Sequence, residues 1–199
     1  MDEIVKAALA KWPAVPHCYG WLRLDARGNW RMRDARAQAL NLPGDPIRNA
    51  ALLAFIHRNY LVDARGCWYF QNGPQRVYAD LEATPYIARS TPSGFVLHSG
   101  APLPAPQSAC FDPSGNLLLQ ADAILAQLDD RDLAACLNLL ESGRQPVGDD
   151  ALLAWLEAPL QPAPLFLRWP GAGDVRIPVR RMTSDALMQE YGYSREPRA

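Results

Sequence analysis

Lysine is almost missing from this chain: Lys6 and Lys11 are the only two among twenty basic residues, so arginine carries nearly all of the positive charge. Three histidines and four cysteines (Cys18, Cys67, Cys110, Cys136) are scattered without a C-x-x-C or H-x-x-x-H pair. That scatter removes the usual spacings of a zinc site, and no metal and no cofactor is expected. A chain of this size needs no disulfide staples, so reduced, mostly buried thiols are expected. There is no G-x-S-x-G elbow, P-loop, H-E-x-x-H or EF-hand loop, and Gly171-Ala172-Gly173 lacks the third glycine and following helix of a dinucleotide fingerprint. The longest apolar runs, such as Ala50 to Ile56, fall far short of the ~20 residues that cross a bilayer. The start, Met1-Asp2-Glu3-Ile4-Val5-Lys6, has no basic n-region, apolar h-region or cleavage site, so a cytoplasmic protein without membrane contact is expected.

What is present is 199 residues, 49% of them hydrophobic, enough to bury one good core or two smaller ones. The net charge of −1 conceals a division along the chain. Between Gly20 and Arg76 nine arginines face four aspartates, net +5, whereas between Asp112 and Leu160 nine acids face Arg131 and Arg144, net −7. Such asymmetry suits an anionic ligand, nucleic acid or docking of the two regions; the plainer alternative is two solvated faces.

The strongest internal signal is a repeated hairpin. Leu24-Asp25-Ala26-Arg27-Gly28-Asn29-Trp30 matches Val62-Asp63-Ala64-Arg65-Gly66-Cys67-Trp68, and Phe111-Asp112-Pro113-Ser114-Gly115-Asn116-Leu117 is a weaker third copy. Asp opens each turn by accepting backbone N–H bonds, and Gly three residues later takes the left-handed conformation. Alternation beyond the turns places Trp30 with Met32, Trp68 with Phe70 and Leu117 with Leu119 on inward faces, Leu22 and Leu24 lying opposite the first pair. A helix is expected before each of the first two hairpins: 2–11, and one capped by Asp45 with Pro46 in its first position and Ile47, Ala51 and Phe55 at helical spacing.

Arg76 to Leu81, Tyr86 to Ser90 and Gly94 to His98 read as a meander of half-buried antiparallel strands. The three prolines in 100–107 read as a connector. Residues 121–142 carry a helical pattern with Asp129 or Asp130 as an internal cap, and a further helix capped by Asp149 or Asp150 stops at Pro159. Strands follow at Leu165 to Trp169 and Val175 to Val179, the second placed at an edge by Pro178, then a helix after Thr183 or Ser184 and a mobile tail from Tyr193. The expected fold is α+β: duplicated helix-plus-β-hairpin units with an antiparallel meander in a first domain (1–99), a connector (100–107), and a second α+β part (108–199) with helices over 121–157, a hairpin over 165–180 and a C-terminal helix.

The polar stretch Gln71-Asn72-Gly73-Pro74-Gln75-Arg76-Val77-Tyr78-Ala79-Asp80 exceeds what a turn requires. Asn72-Gly73 explains the turn, but not Gln71 and Gln75 beside it, nor Arg76, Tyr78 and Asp80 on one strand face. Gln71, Asn72, Gln75, Arg76 and Tyr78, with Arg89 from a neighbouring strand, are therefore the candidate ligand-binding residues, presenting donors to an anionic or peptide-like ligand or protein partner. Arginines interleave with Trp21, Trp30 and Trp68 as in single-strand-binding sheets, but the core claims Trp30 and Trp68, the whole chain is slightly acidic, and nucleic acid is not the expected partner. A non-catalytic binding or regulatory protein, self-associating, is the first reading. The alternative is a small-molecule, hydrolase-like enzyme using His57, Asp63, Cys67 and Arg76.

The runs Gly44-Asp45-Pro46-Ile47, Phe55-Ile56-His57-Arg58-Asn59-Tyr60, Asp63 to Tyr78 and Thr84-Pro85, together with Tyr19-Gly20-Trp21-Leu22 and Gly28 to Asp34, resemble an uncharacterised proteobacterial family of unknown function. More distantly, the order of glycine, tryptophan, Pro-Ile and a second hairpin ending near Thr-Pro resembles another unannotated bacterial family, one of repeated hairpin motifs. That second likeness implies a regulatory or signalling role.

Overall fold

The computed structural model describes residues 1–158, 163–170 and 175–199. They form two compact units, one of 1–85 with 191–199 and the other of 86–190. The fold is α+β, with six helices among the described residues and strands in two mixed sheets. The division falls between Pro85 and Tyr86 instead of at 100–107, and the last nine residues return to the first unit.

In the first unit the chain runs α1 (Glu3–Lys11), β1 (Cys18–Leu24), β2 (Trp30–Met32), α2 (Ala35–Ala39), β3 (Asp45–Pro46), α3 (Ala50–Arg58), β4 (Tyr60–Val62), β5 (Trp68–Asn72) and β6 (Gln75–Leu81). The sheet order is β3-β2-β1-β6-β5-β4, with β1 and β6 parallel and every other neighbour antiparallel. Leu22 lies opposite Met32 and Leu24 opposite Trp30, the register that alternation predicts. Trp30 is fully buried, with Tyr60 edge-on at 5.1 Å and Trp68 against Tyr60 at 4.8 Å. Phe70 meets Phe55 of α3 edge-on at 5.2 Å, so this face of the sheet is the core under α3. Met32 stays 47% exposed, because its strand lies next to the short edge strand β3.

All three Asp turns form as their chemistry demands. Asp25 Oδ1 accepts from the N–H groups of Arg27 and Asn29 at 3.0 and 2.8 Å, Asp63 Oδ1 from Arg65 and Cys67 at 2.9 and 3.0 Å, and Asp112 Oδ1 from Ser114 and Asn116 at 2.9 and 2.8 Å. The helix expected from Asp45 begins later: Asn49 is the cap, its Oδ1 accepting from Leu52 N–H at 2.9 Å, while Asp45 and Pro46 pair with Met32 and Arg31 as an edge strand. Proline at a sheet edge forfeits no ladder bond, which is why the pair is used there. The short α2, capped by Asp34 Oδ1 on Ala37 N–H at 2.7 Å, has no counterpart among the sequence-based expectations.

The second unit contains β7 (Tyr86–Thr91), β8 (Gly94–Leu97), β9 (Pro102–Leu103), β10 (Ser108–Phe111), β11 (Leu117–Ala121), β12 (Ile124–Leu128), α4 (Asp130–Leu137), β13 (Leu140–Ser142), β14 (Gln145–Pro146), α5 (Asp149–Glu157), β15 (Leu165–Arg168), β16 (Arg176–Arg181) and α6 (Ser184–Tyr191). Its sheet runs β14-β13-β15-β16-β10-β11-β12-β7-β8-β9. Three expectations change here. The proline-rich connector contributes the edge strand β9, paired with β8. The helical pattern from 121 is strand up to Leu128, because Leu117, Leu118, Leu119, Leu125, Ala126 and Leu128 are all buried and an apolar run covered on both faces has no period to read. β16 is central, between β15 and β10; its pairing with β10 starts at Val179, just past Pro178, so the proline stays out of that ladder. Asp129 does cap α4, whereas α5 has Gly148 at its cap position with no side-chain bond. The expected stop at Pro159 and the Gly171–Gly173 segment lie outside the described residues. Cys67, Cys110 and Cys136 are buried and Cys18 is half-buried, all four free.

Candidate functional site: an arginine pocket on the open face of the first sheet

The face of the first sheet turned away from α3 is polar, and the pairing register explains why. Tyr69 lies opposite Tyr78, Gln71 opposite Arg76 and Arg23 opposite Asp80, so these side chains share one face while Phe70, Val77, Ala79 and Leu81 take the other. Tyr19 stacks on Tyr78 with centroids 4.6 Å apart and planes within 3°. Tyr69 and Tyr78 stand 5.5 Å apart, and the Arg76 guanidinium lies 4.7 Å from the Tyr69 ring. The Tyr78 hydroxyl donates to Asp63 Oδ2 at 2.9 Å. Burial pushes the Tyr78 phenol above its ordinary pKa, and the neighbouring Asp63 carboxylate adds to that. Burial alone would raise Asp63, but the N–H groups of Cys67 and Arg65 and the Tyr78 hydroxyl more than offset it and hold the carboxyl low.

The expected ligand-binding residues divide on this face. Tyr78 is 2% exposed and Gln71 1%, with Gln71 Nε2 donating to Gly73 O at 2.8 Å, so both are structural floor. Gln75 Nε2 donates to Pro16 O at 3.0 Å and fastens the segment before β1. Asn72 is exposed at the turn, opposite Gln75. Arg89 belongs to the second unit, where Asp132 accepts from its Nε and Nη2 at 2.8 and 3.3 Å. Sequence reasoning groups Arg89 with these residues by supposing one continuous meander, whereas its strand belongs to the other sheet and the other unit. Of the enzyme candidates, Asp63, Cys67 and Arg76 gather around Tyr78, whereas His57 packs against Trp30 on the core face. Among the described residues, no three His, Cys, Asp or Glu side chains come together as metal ligands.

Beyond Tyr19 this face opens into a cavity of about 470 Å³, lined by Arg23, Arg33, Asp80, Arg195 and Arg198 among others. Asp80 is its anchor. Arg33 Nη1 donates to Asp80 Oδ2 at 2.6 Å and Arg198 Nη1 to Asp80 Oδ1 at 3.2 Å. Arg33 is in turn held by Leu42 O on Nε at 3.1 Å and by Asn41 Oδ1 on Nη2 at 3.2 Å. Arg23 approaches only Glu82, at 3.5 Å, and its Nε is buried with no hydrogen-bond partner among the described residues.

Two of the four arginines come from the C-terminal segment, which the sequence reading left mobile. It is tied down by backbone bonds from Ser194 N–H to Gly66 O at 2.9 Å and from Leu81 N–H to Arg195 O at 2.8 Å, and Arg195 also donates to Glu82 O. At Gly66, φ is +75° and a Cβ would lie 2.0 Å from Gly192 O, so glycine there serves both the turn and the close passage of the segment. The one local signal for this site was the cluster of Arg195 and Arg198 in the tail.

Fold and site together define an α+β protein with an arginine-lined cavity formed by one sheet face and the chain terminus. The chain belongs to the DUF2944 family, whose model, described as "Protein of unknown function (DUF2946)", matches residues 1–198. A DUF1285 family protein from Silicibacter pomeroyi DSS-3 has a similar fold, with a TM-score of 0.51 at 14% identity, covering 94% of this chain and 98% of that one. No curated protein matches the chain. No helix among the described residues is long and apolar enough to cross a membrane.

Proposed function

We propose that the first unit is a non-catalytic receptor for a small anionic ligand, bound in the cavity among Arg23, Arg33, Arg195 and Arg198. One observation carries the reading: four arginines, Arg23, Arg33, Arg195 and Arg198, line a single cavity with only two carboxylates, Asp80 and Glu196. An excess of guanidinium groups around one cavity favours an anion there. The carboxylates that line the cavity, Asp80 shared by Arg33 and Arg198 and Glu196 held by Arg198 at 2.8 Å, balance only two of the four positive charges. The Arg76–Tyr78 cluster acts as the support that positions Tyr19 at the rim. A regulatory role fits a site that offers donors and no assembled nucleophile and base. The three hairpins with the same Asp turn are read here as copies of one ancestral unit.

Calorimetric titration of the full chain with pyrophosphate tests the reading. Saturable binding that weakens as salt rises, and weakens at least about tenfold in Arg23→Gln, is expected. Absence of binding at low salt by a folded chain would refute it.

A further inference from the structure

Resting on the anion-receptor reading, the geometry points to a nucleoside phosphate as the occupant of this cavity, its base against Tyr19 and its phosphate on the arginines. Tyr19 has one ring face taken by Tyr78, which is itself 2% exposed. The exposure that remains to this stack therefore belongs to Tyr19, which is half-buried and lines the cavity. An aromatic ring backed on one side and open to a cavity on the other is a platform for a second planar ring.

Two amides stand at the same cavity, and Arg33 fixes both. Gln38 Nε2 donates to Arg33 O at 3.1 Å, and Asn41 Oδ1 accepts from Arg33 Nη2 at 3.2 Å. Those bonds leave the Gln38 carbonyl oxygen as an acceptor and the Asn41 NH2 as a donor, the pair of functions that reads the edge of a base. Gly20 keeps clear the space beside the Gln38 amide: its φ is +77°, and a Cβ there would stand 2.7 Å from Gln38 Oε1. At about 470 Å³ the cavity is in the size range of small-molecule sites. Inorganic phosphate or a sugar phosphate would use the arginines but neither the tyrosine face nor the oriented amides.

The test compares adenosine monophosphate, guanosine monophosphate, ribose 5-phosphate and pyrophosphate by calorimetry on the full chain. At least one nucleotide is expected to bind about tenfold or more tighter than ribose 5-phosphate, the scale of one stacked base. Tyr19→Leu is expected to erase that advantage, so that the nucleotide binds no tighter than ribose 5-phosphate to the same variant. Tyr19→Phe, which keeps the ring, is expected to retain the advantage, and it decides the matter if the leucine variant does not fold. Equal binding of both nucleotides and ribose 5-phosphate would overturn this inference while leaving the anion receptor standing. Failure of all four probes would bring down the receptor reading itself.

Discussion

Arg33 and Asp80, 47 residues apart in the chain, meet at 2.6 Å with their side chains only 6% and 10% exposed. Neither charge could be kept there alone, since a single buried ion loses its hydration without recompense. The pair therefore locks α2 and its following loop, which carry the partners of Arg33, onto the end of β6.

Replacing one partner should be costly. Asp80→Ala is expected to lower unfolding free energy by about 3–5 kcal/mol in urea denaturation, because Arg33 is left buried without its carboxylate. Adding Arg33→Met to Asp80→Leu should recover much of that loss. A double variant as unstable as the sum of the two single ones would show that the pair is not the unit of stability.

Gly66 and Gly115 offer a matched comparison. Both close an Asp turn, at φ +75° and +79°, but only Gly66 has the C-terminal segment against it, and nothing lies within 4 Å of a Cβ at Gly115. Alanine at either site carries the same left-handed strain, on the order of 1 kcal/mol. Gly66→Ala should in addition release residues 192–199 and speed their removal by carboxypeptidase, while Gly115→Ala leaves that rate unchanged. Equal rates would mean that the close approach does not hold the segment.

Asp129 gives the second unit a pH signature. The Arg131 side chain, with Nη2 2.5 Å from Oδ2, brings the carboxyl down to about 2, helped by the Arg131 N–H and by Arg89 nearby. A carboxyl lowered on folding contributes stability that is complete above its unfolded pKa, roughly 3.9, and is lost as pH falls through the folded value. Thermal melts between pH 5 and pH 2 should therefore show Asp129→Asn less stable than the parent at pH 5, with the gap narrowing toward pH 2. A gap independent of pH would remove the charge from the explanation.

Thiol chemistry separates the cysteines. Burial pushes Cys110 up to about 12 and Cys136 up to about 11, so neither supplies thiolate at neutral pH. Labelling of the native protein with a thiol reagent at pH 8 should modify Cys18 first and leave Cys110 and Cys136 intact until denaturant is added. Early labelling of Cys136 would show that its helix opens on the labelling timescale.

What could be read from the sequence was what short-range chemistry determines. The Asp turns, the Trp30 and Leu24 register and the shared face of Arg76, Tyr78 and Asp80 all follow from turn residues and two-residue alternation. Ala121 to Leu128 defeated the same reasoning, since strands covered on both sides display no alternation and imitate a buried helix. The arginine pocket was hidden for another reason. Its anchor joins Asp80 to Arg198 across 118 residues, and nothing local marks that meeting. The strand of Arg89 lies in a different sheet from that of Arg76 and Tyr78, and a meander read from sequence alone does not reveal where one sheet ends.

The return of residues 191–199 makes the second unit an insertion in the first. At a synthesis rate of about 5–20 residues per second, roughly 6–24 s separate emergence of Asp80 from that of its Arg198 partner. During that interval the amino-terminal sheet exists with its polar face uncovered and two of its cations still unmade. The cavity's full complement of arginines thus exists only in chains synthesised through Arg198, and a shorter polypeptide carries Arg23 and Arg33 alone.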